Sequence, residues 1–158
     1  MEAMADTQNQ EAEAQSERNQ CGVCNMHASA PSEAVVYADD SWTVTLGYDV
    51  PGWVVVMANR HTDDWLWGLS LLEASTMGSL LQRLSAAMKA EADVERIYIM
   101  GFGEQWRHFH LMLISRSAST GADLRGAGML ALAPDLADPD EALRVGARIR
   151  QRLIRDVS

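Results

Sequence analysis

The 158-residue sequence has little that would carry it through or onto a membrane, and little basic charge. Its longest apolar run is the six residues Trp53–Ala58, far short of the roughly 20 that a spanning helix needs. The N-terminus has neither a basic start nor an apolar core, so no secretory signal is expected. Lys and Arg total 13 against 22 Asp and Glu, a net charge of −9. Residues 1–20 hold five acids (Glu2, Asp6, Glu11, Glu13, Glu17) and one base (Arg18), which is −4 and leaves −5 for the rest. Without clustered Lys and Arg, a nucleic-acid partner is not expected, because phosphate neutralisation requires them. Small phosphorylated ligands stay open, since backbone N–H groups and helix N-termini hold anions without net positive charge. Cysteine is almost absent as well. Cys21 and Cys24 are the only two, and without an export signal such a pair reads as a metal or redox motif rather than a disulfide framework. These absences together imply a cytoplasmic protein.

What is present suits one globular domain. The apolar fraction is 47% and the charged fraction 22%, enough to build a core in a chain of this length. Residues 1–20, rich in Gln, Glu, Asn, Ala and Ser, show no hydrophobic period and read as a disordered acidic tail before a domain over 21–158. Strands are expected at Glu33–Tyr37, Trp42–Leu46 and Trp53–Met57, then at Val94–Met100 and Arg107–Ile114. Between the third and fourth strands, Ser70-Leu71-Leu72-Glu73 is a capping-box signature. Ala74, Met77, Leu81, Leu84 and Met88 then recur at helical spacing, which predicts a helix over about 70–90. Asp138-Pro139-Asp140-Glu141 opens a last helix with a cap, a first-turn proline and acids. Its inner face is Val145, Ile149 and Leu153. Hairpin-length gaps between strands imply a mostly antiparallel five-stranded sheet in an α+β fold.

Chemistry concentrates on few residues. The four histidines are His27, His61, His108 and His110. Alternation along Arg107–Ile114 sends His108, His110, Met112 and Ile114 to one face and Phe109, Leu111 and Leu113 to the other. Two imidazoles on one face can serve one site, whereas a merely solvated face is an unusual use of paired histidines. Cys21-Gly22-Val23-Cys24 can grip one Zn²⁺, but a closed site needs two more N or S ligands from among the four histidines. A redox pair, or two cysteines without metal, are the other readings.

His108-Phe109-His110-Leu111-Met112-Leu113-Ile114-Ser115-Arg116 resembles the histidine-triad (HIT) signature, His-φ-His-φ-His-φ-φ before Pro-Arg. Cys21-x-x-Cys24 is similar to the zinc cysteines of bacterial members. Pro51-Gly52 with the strand after it and Asn59-Arg60-His61, the Leu69-Ser70-x-x-Glu73 helix start, Gly103-Glu104 and Arg125-Gly126 follow in the family's order, so the likeness covers about 21–155. The resemblance implies a HIT-like fold, a homodimer, and a structural Zn²⁺ held by Cys21, Cys24, His61 and His108. It also implies that His110 is the nucleophile that attacks the α-phosphorus of a nucleotide conjugate, giving a nucleotidyl-histidine that passes to water or another acceptor.

The sequence departs from the pattern at informative places. Met112 stands where the third histidine would be, and a thioether donates no hydrogen bond. Ser115 replaces the proline before Arg116, and Trp53 replaces a histidine after Pro-Gly. Glu104 lies where a carboxylate would repel phosphate. Trp42, Tyr48, Trp53, Trp65, Trp67 and Trp106 could line a pocket. Tyr48, Trp53, Gln105, Trp106, Met112 and Arg116 are the candidate ligand-binding residues, with His110 and Glu104 as candidate catalytic ones. One function is a nucleotide hydrolase or nucleotidyltransferase. The competing one is a repurposed scaffold in which His110 and Glu104 act as base and acid on a non-nucleotide small molecule, or one that only binds a ligand.

Overall fold

The computed structural model describes residues 13, 15–62, 64–91 and 93–155. Five strands form: β1 (Val35–Ala38), β2 (Trp42–Leu46), β3 (Trp53–Ala58), β4 (Val94–Met100) and β5 (His110–Ser117). They make one antiparallel sheet in the order β1-β2-β3-β5-β4. The α+β class is therefore as expected, and β2 and β4 keep the expected bounds. The histidine strand does not. It starts at His110 rather than Arg107 and runs on to Ser117, pairing His110 with Met57 and Ser117 with Val94. His108 lies before the strand because its Nε2 is bound to the carbonyl of Ala58 at 2.7 Å, across the end of β3.

The helices are α1 (Gly22–Ser29), α2 (Leu71–Lys89), the single turn α3 (Ala133–Leu136) and α4 (Pro139–Arg155). The capping box at α2 is complete: Ser70 Oγ accepts from the Glu73 N–H, and Glu73 Oε2 accepts from the Ser70 N–H at 2.7 Å. Glu73 also binds Arg60 through Oε1 at 3.2 Å and Oε2 at 2.8 Å. This one carboxylate thus ties the loop after β3 to the helix start. At α4, Asp138 Oδ1 accepts from the Glu141 N–H at 2.9 Å, the cap that the sequence announces. The inner face of α2 is rotated from the expected one. Leu80, Leu84, Ala87 and Met88 are buried, Met77 and Leu81 border them, and Ala74 is exposed.

Each face of the sheet is covered by different material. Val44, Val54, Val56, Leu113 and Phe109 pack with α2 and α4 in the main core. On the other face, Val55 and Met57 meet Cys21 and Val23 at the start of α1, with Met112 at the border. Further along that face, Trp53 and Ile114 pack with Val50, Met129 and Ala133. Covering on both sides explains why all of β3 is buried.

Part of the expected tail falls within the described residues. Residues 15–20 are helical and exposed. Their Gln, Glu and Arg favour helix, and Gln15 to Asn19 and Gln20 to Ser16 add side-chain bonds one turn apart. Residues 1–12 and 14 of that expected tail lie outside the described residues. Among the described residues, no helix is long and apolar enough to cross a membrane.

Candidate active site and metal centre

Four side chains from three separate parts of the chain converge at the start of α1. The ligand atoms of Cys21, Cys24, His61 and His108 all lie within 4.8 Å of one another. Cys24 Sγ is 3.3 Å from Nδ1 of both His61 and His108, and Cys21 Sγ is 3.7 Å from His108 Nδ1. A tetrahedral zinc, with bonds near 2.3 Å to sulfur and 2.0–2.1 Å to nitrogen, separates its S and N ligands by about 3.5 Å. The spacings fit. So does the orientation of His108: its Nε2–H donates to the Ala58 carbonyl, which leaves the Nδ1 lone pair facing the sulfurs, as a metal-ligating histidine requires. Without metal the cluster favours neutral forms. Burial, reinforced by the neighbouring Cys21, pushes the Cys24 thiol up to about 11, and burial holds His108 below its usual value. His27, the other histidine near the cysteines, is not in the cluster; its Nε2 shares a hydrogen bond with Thr43 Oγ1 at 3.1 Å.

Beside this cluster, on the same face of the sheet, a cavity of about 480 Å³ opens over β5. His110 and Met112 point into it from the sheet, and Glu104, Gln105 and Trp106 border it from the loop after β4. Gly22, Val23 and Met26 of α1 close another side, and Leu46 and Tyr48 a third. His110 Nδ1 lies 2.7 Å from the carbonyl oxygen of His108. A carbonyl only accepts, so Nδ1 carries a proton, and in the neutral ring the lone pair is the one on Nε2. The ring is steadied by Trp65, edge to face at 5.6 Å. Among the described residues, no lysine or arginine lines the cavity.

Two backbone features shape its mouth. Gly22 is pressed by the Trp106 indole, where an added Cβ would come within 2.6 Å of the ring; only glycine lets Trp106 lie against α1. In the turn between β2 and β3, Tyr48 and Asp49 take φ of 58° and 54°. This left-handed turn is closed by the Val50 N–H on the Gly47 carbonyl. It leaves Tyr48 61% exposed at the cavity rim.

No family model and no curated protein matches the sequence. Solved structures do match the fold. A Hit-like protein involved in cell-cycle regulation from Bartonella henselae superposes with a TM-score of 0.63 at 16% identity, over 85% of this chain and 97% of that one. A Zn-bound histidine triad family protein from Mycobacterium smegmatis gives 0.61 at 20% identity, over 89% and 97%. A uridylyltransferase mutant gives 0.62 at 17% identity, over 92% of this chain and 53% of that one. The chain has the histidine-triad fold.

Within this HIT fold the third triad position is Met112, partly buried between the cavity and the α1 cluster. Of the candidate ligand-binding and catalytic residues, Tyr48, Gln105, Trp106, Met112, His110 and Glu104 line the cavity. Trp53 and Arg116 do not. Trp53 is 1% exposed in the core, its indole N–H donating to the Ser115 carbonyl at 3.2 Å. It sits at the far end of β3, beneath the 126–136 segment, which a reading by strand face alone cannot see. Arg116 shares the face of His110 but lies six residues along, about 20 Å at the strand rise. It is buried, with Nη1 donating to Glu95 at 3.2 Å and to the Ser117 carbonyl at 2.9 Å. The sequence reading also missed α1 as a helix, and with it the cavity wall made by Gly22, Val23 and Met26. The Gly101-Phe102-Gly103 turn was its available signal for the opposite wall, since Phe102 and Gly103 line the cavity too.

Proposed function

We propose that this HIT-fold protein is a nucleotide hydrolase or nucleotidyltransferase in which His110 is the nucleophile and Cys21, Cys24, His61 and His108 hold a structural zinc. The reading rests on one observation: the His108 carbonyl holds a proton on His110 Nδ1, so that the neutral tautomer of this cavity-lining ring has its lone pair on Nε2. A neutral imidazole is nucleophilic near pH 7 without first losing a proton. Nε2 bonds to the α-phosphorus of a nucleotide conjugate as the bond to the leaving group breaks. Water or another acceptor then displaces the nucleotidyl group and restores the imidazole. Held together by zinc, Cys21, Cys24, His61 and His108 would be fixed against one another, and the His108 carbonyl orients His110. Gln105 and the Tyr48 and Trp106 rings hold the substrate. Incubation with adenosine phosphoramidate should release AMP and trap a nucleotidyl group on His110. No turnover, with none gained in Met112→His, overturns the reading.

A second reading is favoured by the cavity's composition. With a thioether at position 112 and no lysine or arginine among the described lining residues, the site suits a less charged substrate, with His110 and Glu104 acting as acid and base. His110→Ala with unchanged native activity excludes both. We further propose that the protein is a cytoplasmic homodimer joined along β4, the sheet edge with Ile99 half exposed. An unpaired edge strand invites pairing with a second copy. Light scattering on the purified protein should give twice the chain mass.

A further inference from the structure

On the opposite face from His110, a second concavity of about 770 Å³ lies between β1 and the helices α2 and α4. Its floor and walls are Val35, Val36, Leu153 and Ile154, with the Tyr37 ring at one side. Val36 and Leu153 are buried beneath it and Ile154 is exposed at its rim. This volume suits a small ligand with an apolar body.

Two guanidinium groups enter the trough. Arg83 comes from α2, with its cation 5.7 Å above the Tyr37 ring and Nη2 donating to the Leu153 carbonyl at 3.1 Å. Arg150 comes from α4, with Nη2 donating to the carbonyls of Ser32 and Glu33 at 3.2 and 2.9 Å. The Nε of each is buried and makes no hydrogen bond. This sets them apart from the other arginines of the same surface. Arg148 and Arg152 pair with Glu91, and Arg144 with Glu141. Among the described residues, neither Arg83 nor Arg150 forms an ion pair; both donate only to neutral oxygens. The carboxylate that acts on Arg83 from a distance, Asp39, is already occupied by the Tyr37 hydroxyl and the N–H groups of Ser41 and Trp42.

In a chain with net charge −9, two cations left without carboxylate partners beside an apolar trough are unusual. The planar fork of a guanidinium matches a carboxylate in two-point contact. We infer that the trough is a binding site for a small amphipathic carboxylate: an unbranched or aryl apolar chain lies along Val36 and Leu153, and its single carboxylate is gripped by Arg83 and Arg150. The site is separate from the His110 cavity and does not depend on the reaction proposed there.

The probe is decanoate, with decanol as the uncharged control of equal chain length. Methyl NMR spectra of the full-length protein, titrated with each, should show saturable shifts at Val35, Val36, Leu153 and Ile154 with decanoate only. Decanol should bind at least tenfold more weakly, and Arg83→Met and Arg150→Met should each weaken decanoate at least tenfold. The charge-conserving Arg83→Lys should recover part of that loss. Equal shifts with decanol, shifts elsewhere, or no saturation overturn the inference. The comparison of the two probes is made on the wild-type protein, so it stands even where an arginine variant folds poorly.

Discussion

At the scale of single residues, His110 and Met112 carry opposite expectations. In the proposed reaction His110 is oriented by one backbone bond, Nδ1–H to the His108 carbonyl. Replacing it with asparagine preserves a donor to that carbonyl but removes the lone pair on the cavity side, so turnover of adenosine phosphoramidate should fall to background. Met112 is the reverse case. It lies opposite Val55 in the sheet register and beside the cavity, where a histidine could donate to a phosphate oxygen or a leaving group. Loss of one such donor costs about 10²–10³ in rate. Met112→His should therefore raise kcat by up to about that factor and leave KM little changed, as measured by initial rates of AMP release. A fall in rate would show that the cavity is shaped for the thioether.

At the scale of elements, α1 joins the two halves of the site. Cys21 and Cys24 at its start face His61 and His108, while Gly22, Val23 and Met26 wall the cavity. Metal removal should therefore loosen a cavity wall as well as the cluster. Dialysis against a chelator, or Cys24→Ser, should lower the melting temperature by about 10 °C or more, a small part of what structural zinc sites contribute. The same treatment should shift the fluorescence of Trp106, which lies against Gly22. This helix was also the element least legible in the sequence. Its eight residues hold one cysteine, an opening glycine and no amphipathic period, so neither propensity nor pattern announces it. Ligands distant in the chain position it. The opposite holds for α2, whose capping box at Ser70 and Glu73 was readable to the residue because the signal is local. Glu73→Ala removes both that cap and the clamp on Arg60, and should cost about 1–2 kcal/mol in urea unfolding. Strand identity was legible from alternation, but the offset of β5 was not. Its true start is set by His108 turning toward the Ala58 carbonyl, a contact 50 residues away in sequence, and toward the two cysteines.

At the scale of the whole molecule, hydrogen-bonded carboxylates and the buried His108 give acid sensitivity in two stages. His108 is held below its usual value of 6.5, chiefly by burial. Below pH 6.5 the unfolded chain therefore binds a proton there that the folded state resists, and folding loses stability as pH falls toward the folded value. Metal release by proton competition adds to this first stage. The second stage comes from Glu73, Glu91 and Asp39. Burial alone would raise all three. Arg60 and the Ser70 cap lower Glu73, Arg152 and Arg148 lower Glu91, and Tyr37 with the backbone of Ser41 and Trp42 lowers Asp39. A depressed carboxylate contributes stability that is complete above its unfolded value, 4.5 for the glutamates and 3.8 for Asp39. That contribution disappears as pH falls through the lower folded value. Unfolding free energy measured by urea titration from pH 8 to pH 3 should thus decline once below about 6.5 and again, more steeply, below 4.5. Glu73→Gln should flatten the second decline and leave the first unchanged. Zinc saturation should raise the plateau at pH 7 and steepen the first. A single decline centred near 4.5, identical with and without metal, would place the cluster outside the stability of the fold.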